Sequence, residues 1–91
     1  MNWTFLTNHG HVLIILSRNP GIRISELADE IGISERQISN ILKDLHDSGY
    51  VSKTREGRRN RYEISPDAPL RHQTNQDHTV KELIEILGGK N

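Results

Sequence analysis

The amino-acid sequence predicts a mainly α-helical domain that carries one small β-hairpin. Four segments place apolar residues at helical spacing. Between the third and fourth segments, two short runs that read as strands flank a stretch containing glycine and asparagine. The predicted order is therefore a three-helix core, a two-stranded hairpin and a C-terminal helix.

The length and composition fit a single folded domain. The chain has 91 residues, of which 33% are hydrophobic and 26% charged. It contains no cysteine, which excludes disulfides and cysteine-ligated metal sites. Its longest apolar run, residues 12–16, is far too short to span a membrane, and its N-terminus lacks the features of a secretory signal. We therefore expect a cytoplasmic protein without membrane association.

The first helix is predicted to run to about Arg18. Thr7 or Asn8 is placed to cap it, because both side chains can accept a hydrogen bond from a free backbone N–H. Residues 12–16 supply a broad apolar face. The Asn-Pro-Gly sequence of residues 19–21 then stops the helix, since proline cannot continue it.

The second and third helices have recognisable starts and ends. Ser25 is the expected N-cap of the second helix, and Gly32 is expected to end it. Ser34 is the expected cap of the third, with Gln37 at the capping-box position, and Gly49 ends that helix. Within the third helix, four apolar residues recur at spacings of three and four: Ile38, Ile41, Leu42 and Leu45.

A β-hairpin is predicted from residues 50–55 and 61–65, joined by a longer loop over residues 56–60. The net charge of the chain is zero, but residues 53–61 contain five basic residues and one acidic residue, a local charge of +4. The acidic residues lie mostly elsewhere, so the charge is polarised. The basic residues of the hairpin are Lys53, Arg55, Arg58, Arg59 and Arg61.

Residues 24–43 predict a helix-turn-helix. Ala28 is small where two helices would cross, and Gly32 permits the sharp turn between them. The apolar side of the third helix leaves its opposite side free, and an α-helix fits the major groove of B-DNA. With a basic hairpin beside it, this arrangement predicts a winged helix-turn-helix that binds double-stranded DNA in a sequence-specific way.

The expected DNA contacts on the third helix follow from side-chain chemistry. Arg36, Gln37 and Asn40 carry groups that can pair with guanine or adenine edges. Ser39 and Lys43 suit phosphates, as do the free N–H groups at the helix start beside Ser34. Lys53 and the hairpin arginines are expected to reach the DNA backbone or the minor groove.

Residues 8–65 resemble winged-helix repressors of the MarR and ArsR type. The resemblance rests on residues 27–34, 41–51 and the Gly-Arg-Arg-Asn-Arg-Tyr sequence of residues 57–62. The flanking residues 3–13 and 66–72 are similar to a group of small bacterial MarR-like regulators. The resemblance implies a transcriptional regulator. It also implies groove-facing positions for Gln37, Ser39, Asn40 and Lys43, and wing contacts for Arg58, Arg59 and Arg61.

The C-terminal residues 67–91 are expected to form a helical extension to the DNA-binding domain of residues 1–66. Residues 71–79 contain no apolar side chain, which is compatible with an exposed helix or a loop. The stripe that follows must pack either on the first helix with Trp3 and Phe5 or on a second subunit; a homodimer is the favoured alternative. Its members are Val80, Leu83, Ile84 and Leu87, before Gly88 and Gly89.

Other classes of function have weaker support. The pair His78 and Glu82 could share a metal with His72 or Asp77, but no full ligand set with recognisable spacing is present, so surface histidines are favoured. No catalytic constellation or cofactor motif is present, which argues against an enzyme. The alternative function is a winged-helix module that docks onto protein without binding DNA.

Overall fold

Four helices and one hairpin follow one another in the predicted order. The computed structural model describes residues 3–88. Residues 1–2 and 89–91 lie outside the described residues. They include Gly89, the first residues of the predicted DNA-binding domain and the last residues of the predicted C-terminal extension. The elements are α1 (Asn8–Arg18), α2 (Ile24–Ile31), α3 (Glu35–Asp47), β1 (Val51–Glu56), β2 (Arg59–Ile64) and α4 (Val80–Leu87).

The core is built where the apolar sides of α1, α2 and α3 meet. Val12, Leu16 and Ile38 have no solvent-exposed surface. All four apolar residues predicted on α3 are buried, as the spacing of three and four requires. The hairpin and α4 extend this core with Val51, Tyr62 and Val80.

Local capping explains where the helices begin. The Thr7 hydroxyl accepts a hydrogen bond from the Gly10 N–H at 3.2 Å, so Thr7 is the cap of α1. The prediction of Ser25 as the cap of α2 is wrong, because the helix begins at Ile24 and its N-cap is Arg23, two residues before Ser25. The reason is that the Glu26 carboxylate reaches back and accepts a hydrogen bond from the Arg23 N–H at 3.0 Å.

Gly32 makes the turn between α2 and α3. Its φ of 85° lies in the left-handed region, which side chains with a Cβ rarely adopt. The Gly32 and Ile33 N–H groups both donate to the Ala28 carbonyl, at 2.8 and 3.1 Å. These bonds close α2 and fix the direction in which α3 leaves, as the sequence predicts.

The hairpin differs from its prediction at the turn. Glu56 pairs with Arg59, so Gly57 and Arg58 alone connect the strands, and the predicted loop over 56–60 is wrong. Gly57 has a φ of 63° and Arg58 a negative φ, the pattern of a tight turn that matches the twist of paired strands. Arg59 and Asn60 are consequently strand residues with fixed directions.

The chain after the hairpin forms turns over residues 71–78 and then α4, so the polar stretch is a loop rather than a helix. The side of α4 that carries Val80 and Ile84 packs on the core beside α1. At the other end, the Arg18 guanidinium donates to the Gly88 carbonyl and to the Leu87 carbonyl, the latter at 3.1 Å. The first helix of the same subunit is therefore a packing partner of α4.

No helix among residues 3–88 is long and apolar enough to cross a membrane.

An ion pair joins the start of α4 to the loop before it. His78 Nδ1 lies 3.1 Å from Glu82 Oε2, and His78 Nε2 lies 3.9 Å from Asp77 Oδ1. The hydrogen bond to Glu82 and the negative charges of Asp77 and Glu82 raise the pKa of His78 above 6.5. The same pairing with His78 lowers the pKa of Glu82 below 4.5.

We expect Glu82→Gln to move the pKa of His78 back toward 6.5, measured by an NMR titration of the imidazole. Glutamine keeps the capping hydrogen bond to the Thr79 N–H while removing the charge, so α4 should remain intact. Since the pKa of His78 is raised, its stabilisation is complete below pH 6.5 and disappears as the pH rises through the folded-state pKa. Asp77→Asn should produce a smaller shift, and equal shifts in both variants would contradict the assignment.

Candidate nucleic-acid interface

A polar stripe runs along the solvent side of α3. Arg36, Asn40, Lys43 and Asp47 recur at spacings of four, three and four, which places them on one face of a helix. All four are exposed, and this face lies opposite the buried side of α3. A helix that presents such a face has the width and the hydrogen-bonding groups to enter a major groove.

The start of α3 is held by a reciprocal cap. The Ser34 hydroxyl accepts from the Gln37 N–H at 3.1 Å, and the Gln37 side-chain oxygen accepts from the Ser34 N–H at 3.0 Å. This confirms the predicted capping box. It also occupies the Gln37 oxygen, so that only the amide NH₂ of this side chain remains to face a ligand.

Lys43 is paired with an acid on its own helix. Its Nζ lies 2.8 Å from Asp47 Oδ2, and the hydrogen bond and charge of Asp47 raise the pKa of Lys43. Both side chains are more than half exposed, at 74% and 56%. Exposed pairs of this kind are weak and are screened by salt, so a phosphate can replace Asp47 at little cost.

Asp44, the second acid near this surface, is turned away from the stripe. Its Oδ2 lies 2.9 Å from His9 Nε2 of α1. This contact directs the carboxylate toward the body of the domain rather than toward the face of Arg36 and Asn40. The negative charge of Asp44 therefore opposes an approaching polyanion less than its position in the sequence suggests.

The hairpin and α3 share one surface. A crevice of about 520 Å³ lies between them, with Ser39 and Lys43 on the α3 side and Lys53, Asn60 and Tyr62 on the hairpin side. Residues directly opposite in an antiparallel pair share a face, and Lys53 is opposite Tyr62. The structure therefore brings the predicted phosphate contact Lys53 next to those of α3.

The hairpin arginines have different surroundings. Within residues 3–88, no side-chain hydrogen bond or ion pair involves Arg58, which lies in the exposed turn. Arg55 donates to the Gly57 carbonyl at 3.0 Å, and Arg61 to Glu63 Oε2 at 2.6 Å. Arg59 donates to the Gly21 carbonyl at 2.9 Å. Of these four side chains, Arg58 is thus the most available to an external anion.

Two residues that the sequence prediction missed lie beside this surface. Asn60 lines the crevice with Lys53, and Arg23 lines a shallow pocket next to Arg58 and Arg59. Asn60 would have been found from strand alternation if the tight turn had been recognised, because it is two residues from Tyr62 on the same face. Arg23 precedes α2, and no local pattern connects it with the hairpin.

The residues considered for a metal site are not arranged as a ligand set in the part of the chain that the structure describes. Among residues 3–88, no group of three or more His, Cys, Asp or Glu side chains is arranged to hold a metal ion. His72 instead contacts the Thr74 hydroxyl at 2.8 Å, while His78 contacts Glu82.

An apolar groove lies on another part of the domain. It has a volume of about 590 Å³ and is lined by residues of the N-terminal segment, α1, the end of α3 and α4. Phe5 at its edge is 93% exposed, and Ile86, one turn beyond Leu83 of the groove, is 80% exposed. Trp3, in edge-to-face contact with Phe5 at 5.0 Å, is 64% exposed. Exposed apolar side chains in this density mark a surface suited to protein contact.

Comparison with known proteins gives a family match over the three helices. Residues 6–52 match the winged helix-turn-helix DNA-binding family. A similar solved structure is the zinc-dependent MarR family transcriptional regulator AdcR in its Zn(II)-bound state, with 25% sequence identity and a TM-score of 0.55. The similarity covers 71% of this chain and 47% of that one, so the chain spans about half the length of AdcR. No curated protein matches the chain.

These matches confirm the predicted winged helix-turn-helix fold and the resemblance to MarR-type regulators. The resemblance to ArsR-type repressors stays a prediction.

We expect Ser34→Ala to lower the free energy of unfolding by about 1 kcal/mol, because it removes the side-chain acceptor that caps α3. Chemical denaturation followed by circular dichroism measures this change. Ser39→Ala is the matched control, since Ser39 is an exposed residue within the same helix and caps nothing. Equal stability of the two variants would show that the cap is not needed.

Proposed function

Because this chain belongs to the winged helix-turn-helix DNA-binding family, we propose that it is a transcriptional regulator that reads double-stranded DNA with α3. The observation that carries this proposal is the single surface formed by the polar stripe of α3 and the basic hairpin. A surface with groups for base edges at its centre and cations at its side is complementary to a groove bordered by phosphates. The protein is thus proposed to bind DNA rather than to catalyse a reaction.

Base reading is assigned to the central part of the stripe. Asn40 can pair with both N6 and N7 of adenine, and Arg36 with O6 and N7 of guanine. Gln37 is assigned a weaker role, because its oxygen is held by the Ser34 N–H. It donates to a base acceptor through its amide NH₂ while the cap remains closed.

Phosphate contacts are assigned to the margins of the stripe. Ser39 and Lys43 face the crevice toward the hairpin, where one DNA strand would pass. Lys53 and Arg58 continue this line along the hairpin. Ser34 contributes through the start of α3, where backbone N–H groups favour an anion. Arg55 and Arg61 add positive charge to the same hairpin.

We also propose that the protein acts as a homodimer. A two-fold dimer presents two copies of α3 to half-sites about 34 Å apart, and one subunit measures 38 Å along its longest axis. The proposed contact is the apolar groove together with the exposed side chains of Phe5 and Ile86. Two charged substitutions there would place unpaired charges in an apolar contact.

The division of roles on the DNA-binding surface can be measured with two variants. We expect Asn40→Ala to weaken the free energy of binding by about 1–3 kcal/mol for the best duplex selected from a random pool, and by much less for a random duplex. Arg58→Ala should weaken both by similar factors and reduce the magnitude of the log–log salt slope by about 0.9 for each bound subunit. Paired affinities over a range of salt concentrations provide the measurement.

Lys81→Ala is the matched control for loss of one positive charge, because Lys81 lies on α4 outside the proposed interface. If Asn40→Ala weakens both duplexes equally while Arg58→Ala removes discrimination, the two roles are reversed. If the unmodified protein binds no duplex even at low salt, the protein-docking alternative replaces DNA binding.

The dimer can be tested at positions that do not support the monomer fold. We expect Phe5→Asp combined with Ile86→Asp to convert a dimer into a monomer, because both side chains are largely exposed in one subunit. Analytical ultracentrifugation measures the change. Lys81→Asp, which adds an acid elsewhere on α4, should leave the dimer intact. An unmodified protein that sediments as a monomer would refute the dimer.

A further inference from the structure

The hairpin is tied to the turn between α1 and α2 by two hydrogen bonds. Near its tip, Arg59 Nη2 donates to the Gly21 carbonyl at 2.9 Å. Further down the same strand, the Tyr62 N–H donates to the Pro20 carbonyl at 3.1 Å. Thus β2 is attached to the helical body at both its first residue and its fourth.

Gly21 lies close to two arginine side chains of the hairpin. A Cβ placed on Gly21 would lie 3.6 Å from Arg59 Nη2 and 3.8 Å from Arg61 Nη1. Both guanidinium groups therefore lie directly across the glycine, where the side chain of a larger residue would stand. The contact joins residues 38 positions apart in the sequence.

The tip of the hairpin has no buried side chain that would anchor it to the helical body. Residues 52–60 are all exposed, and the buried hairpin residues Val51 and Tyr62 lie toward its base. Isolated two-stranded hairpins are marginally stable in water, so their direction depends on such attachments. Arg58, the arginine most available to DNA, is the immediate neighbour of Arg59.

We propose that Arg59 is a positioning residue, which holds the hairpin tip on the Gly21 carbonyl and so fixes where Arg58 meets the DNA relative to α3. This assignment rests on the proposed DNA-binding function and replaces the phosphate contact that the family resemblance implies for Arg59. In the complex, its Nη2 remains directed at Gly21 and is not turned toward a phosphate.

The test uses a change that breaks the contact without removing charge. Gly21 is not among the glycines with positive φ, so its backbone accepts a side chain. The methyl groups of Gly21→Val extend toward the guanidinium groups of Arg59 and Arg61 and displace Arg59 from the Gly21 carbonyl. Gly21→Ala is the matched control, because its Cβ makes ordinary contacts at 3.6 and 3.8 Å.

If Arg59 positions the hairpin, two different variants should lose DNA affinity to a similar extent. We expect Gly21→Val and Arg59→Ala each to weaken binding to the best duplex by about two- to tenfold. The double variant should be no weaker than either single variant, because both remove the same contact. The salt slopes of the two variants should agree with each other, because both act on the DNA only through the position of Arg58.

A direct phosphate contact by Arg59 predicts the opposite pattern. In that case Gly21→Val leaves affinity unchanged, and Arg59→Ala reduces the magnitude of the salt slope by about 0.9 for each bound subunit. That result would overturn the proposal.

A measurement on the free protein separates this proposal from the proposed function. Arg59→Ala should accelerate hydrogen exchange of the Tyr62 N–H, while Arg58→Ala should not, since of these two arginines only Arg59 is bonded to the α1–α2 turn. Unchanged exchange in Arg59→Ala overturns the positioning role whether or not the protein binds DNA. Accelerated exchange without any DNA binding overturns the proposed function and leaves the attachment of the hairpin established.

Discussion

The packing of one side of α3 into the core determines the rest of the structure. Ile38 is completely buried, and the other apolar residues of this helix follow it inward at helical spacing. Because side chains on a helix point in directions fixed by its periodicity, burial of this side forces the polar stripe outward. The same packing fixes the crevice beside the hairpin, since the buried Leu42 is one of its lining residues. A loss of this contact would remove the surface together with the fold.

The electrostatic design explains how a chain without net charge can present a surface to a polyanion. Two carboxylates near this surface are paired with its cations, Asp47 with Lys43 and Glu63 with Arg61. Asp44 is directed toward His9 of α1. Exposed pairs of this kind contribute little to stability, so exchange of a carboxylate for a phosphate is inexpensive. Affinity then depends on the arrangement of the charges rather than on their sum.

The hairpin shows how a small error in a local prediction changes the functional interpretation. A loop of five residues would leave Arg59 and Asn60 without fixed directions. The two-residue turn at Gly57 makes both of them strand residues, which places Asn60 in the crevice and Arg59 on the Gly21 carbonyl. The turn type was missed because one glycine between charged residues is a weaker signal than an Asn-Gly pair.

The sequence alone determined the features that depend on neighbouring residues. The cap of α3 by Ser34, the turn at Gly32 and the buried spacing on α3 all arise within a few positions, where backbone hydrogen bonding and helical periodicity leave few alternatives. Tertiary structure decided which distant groups meet: His9 with Asp44 across 35 positions, and Arg59 with Gly21 across 38. Such contacts depend on the packed positions of whole elements, and exposed polar side chains carry no periodic pattern that would predict them.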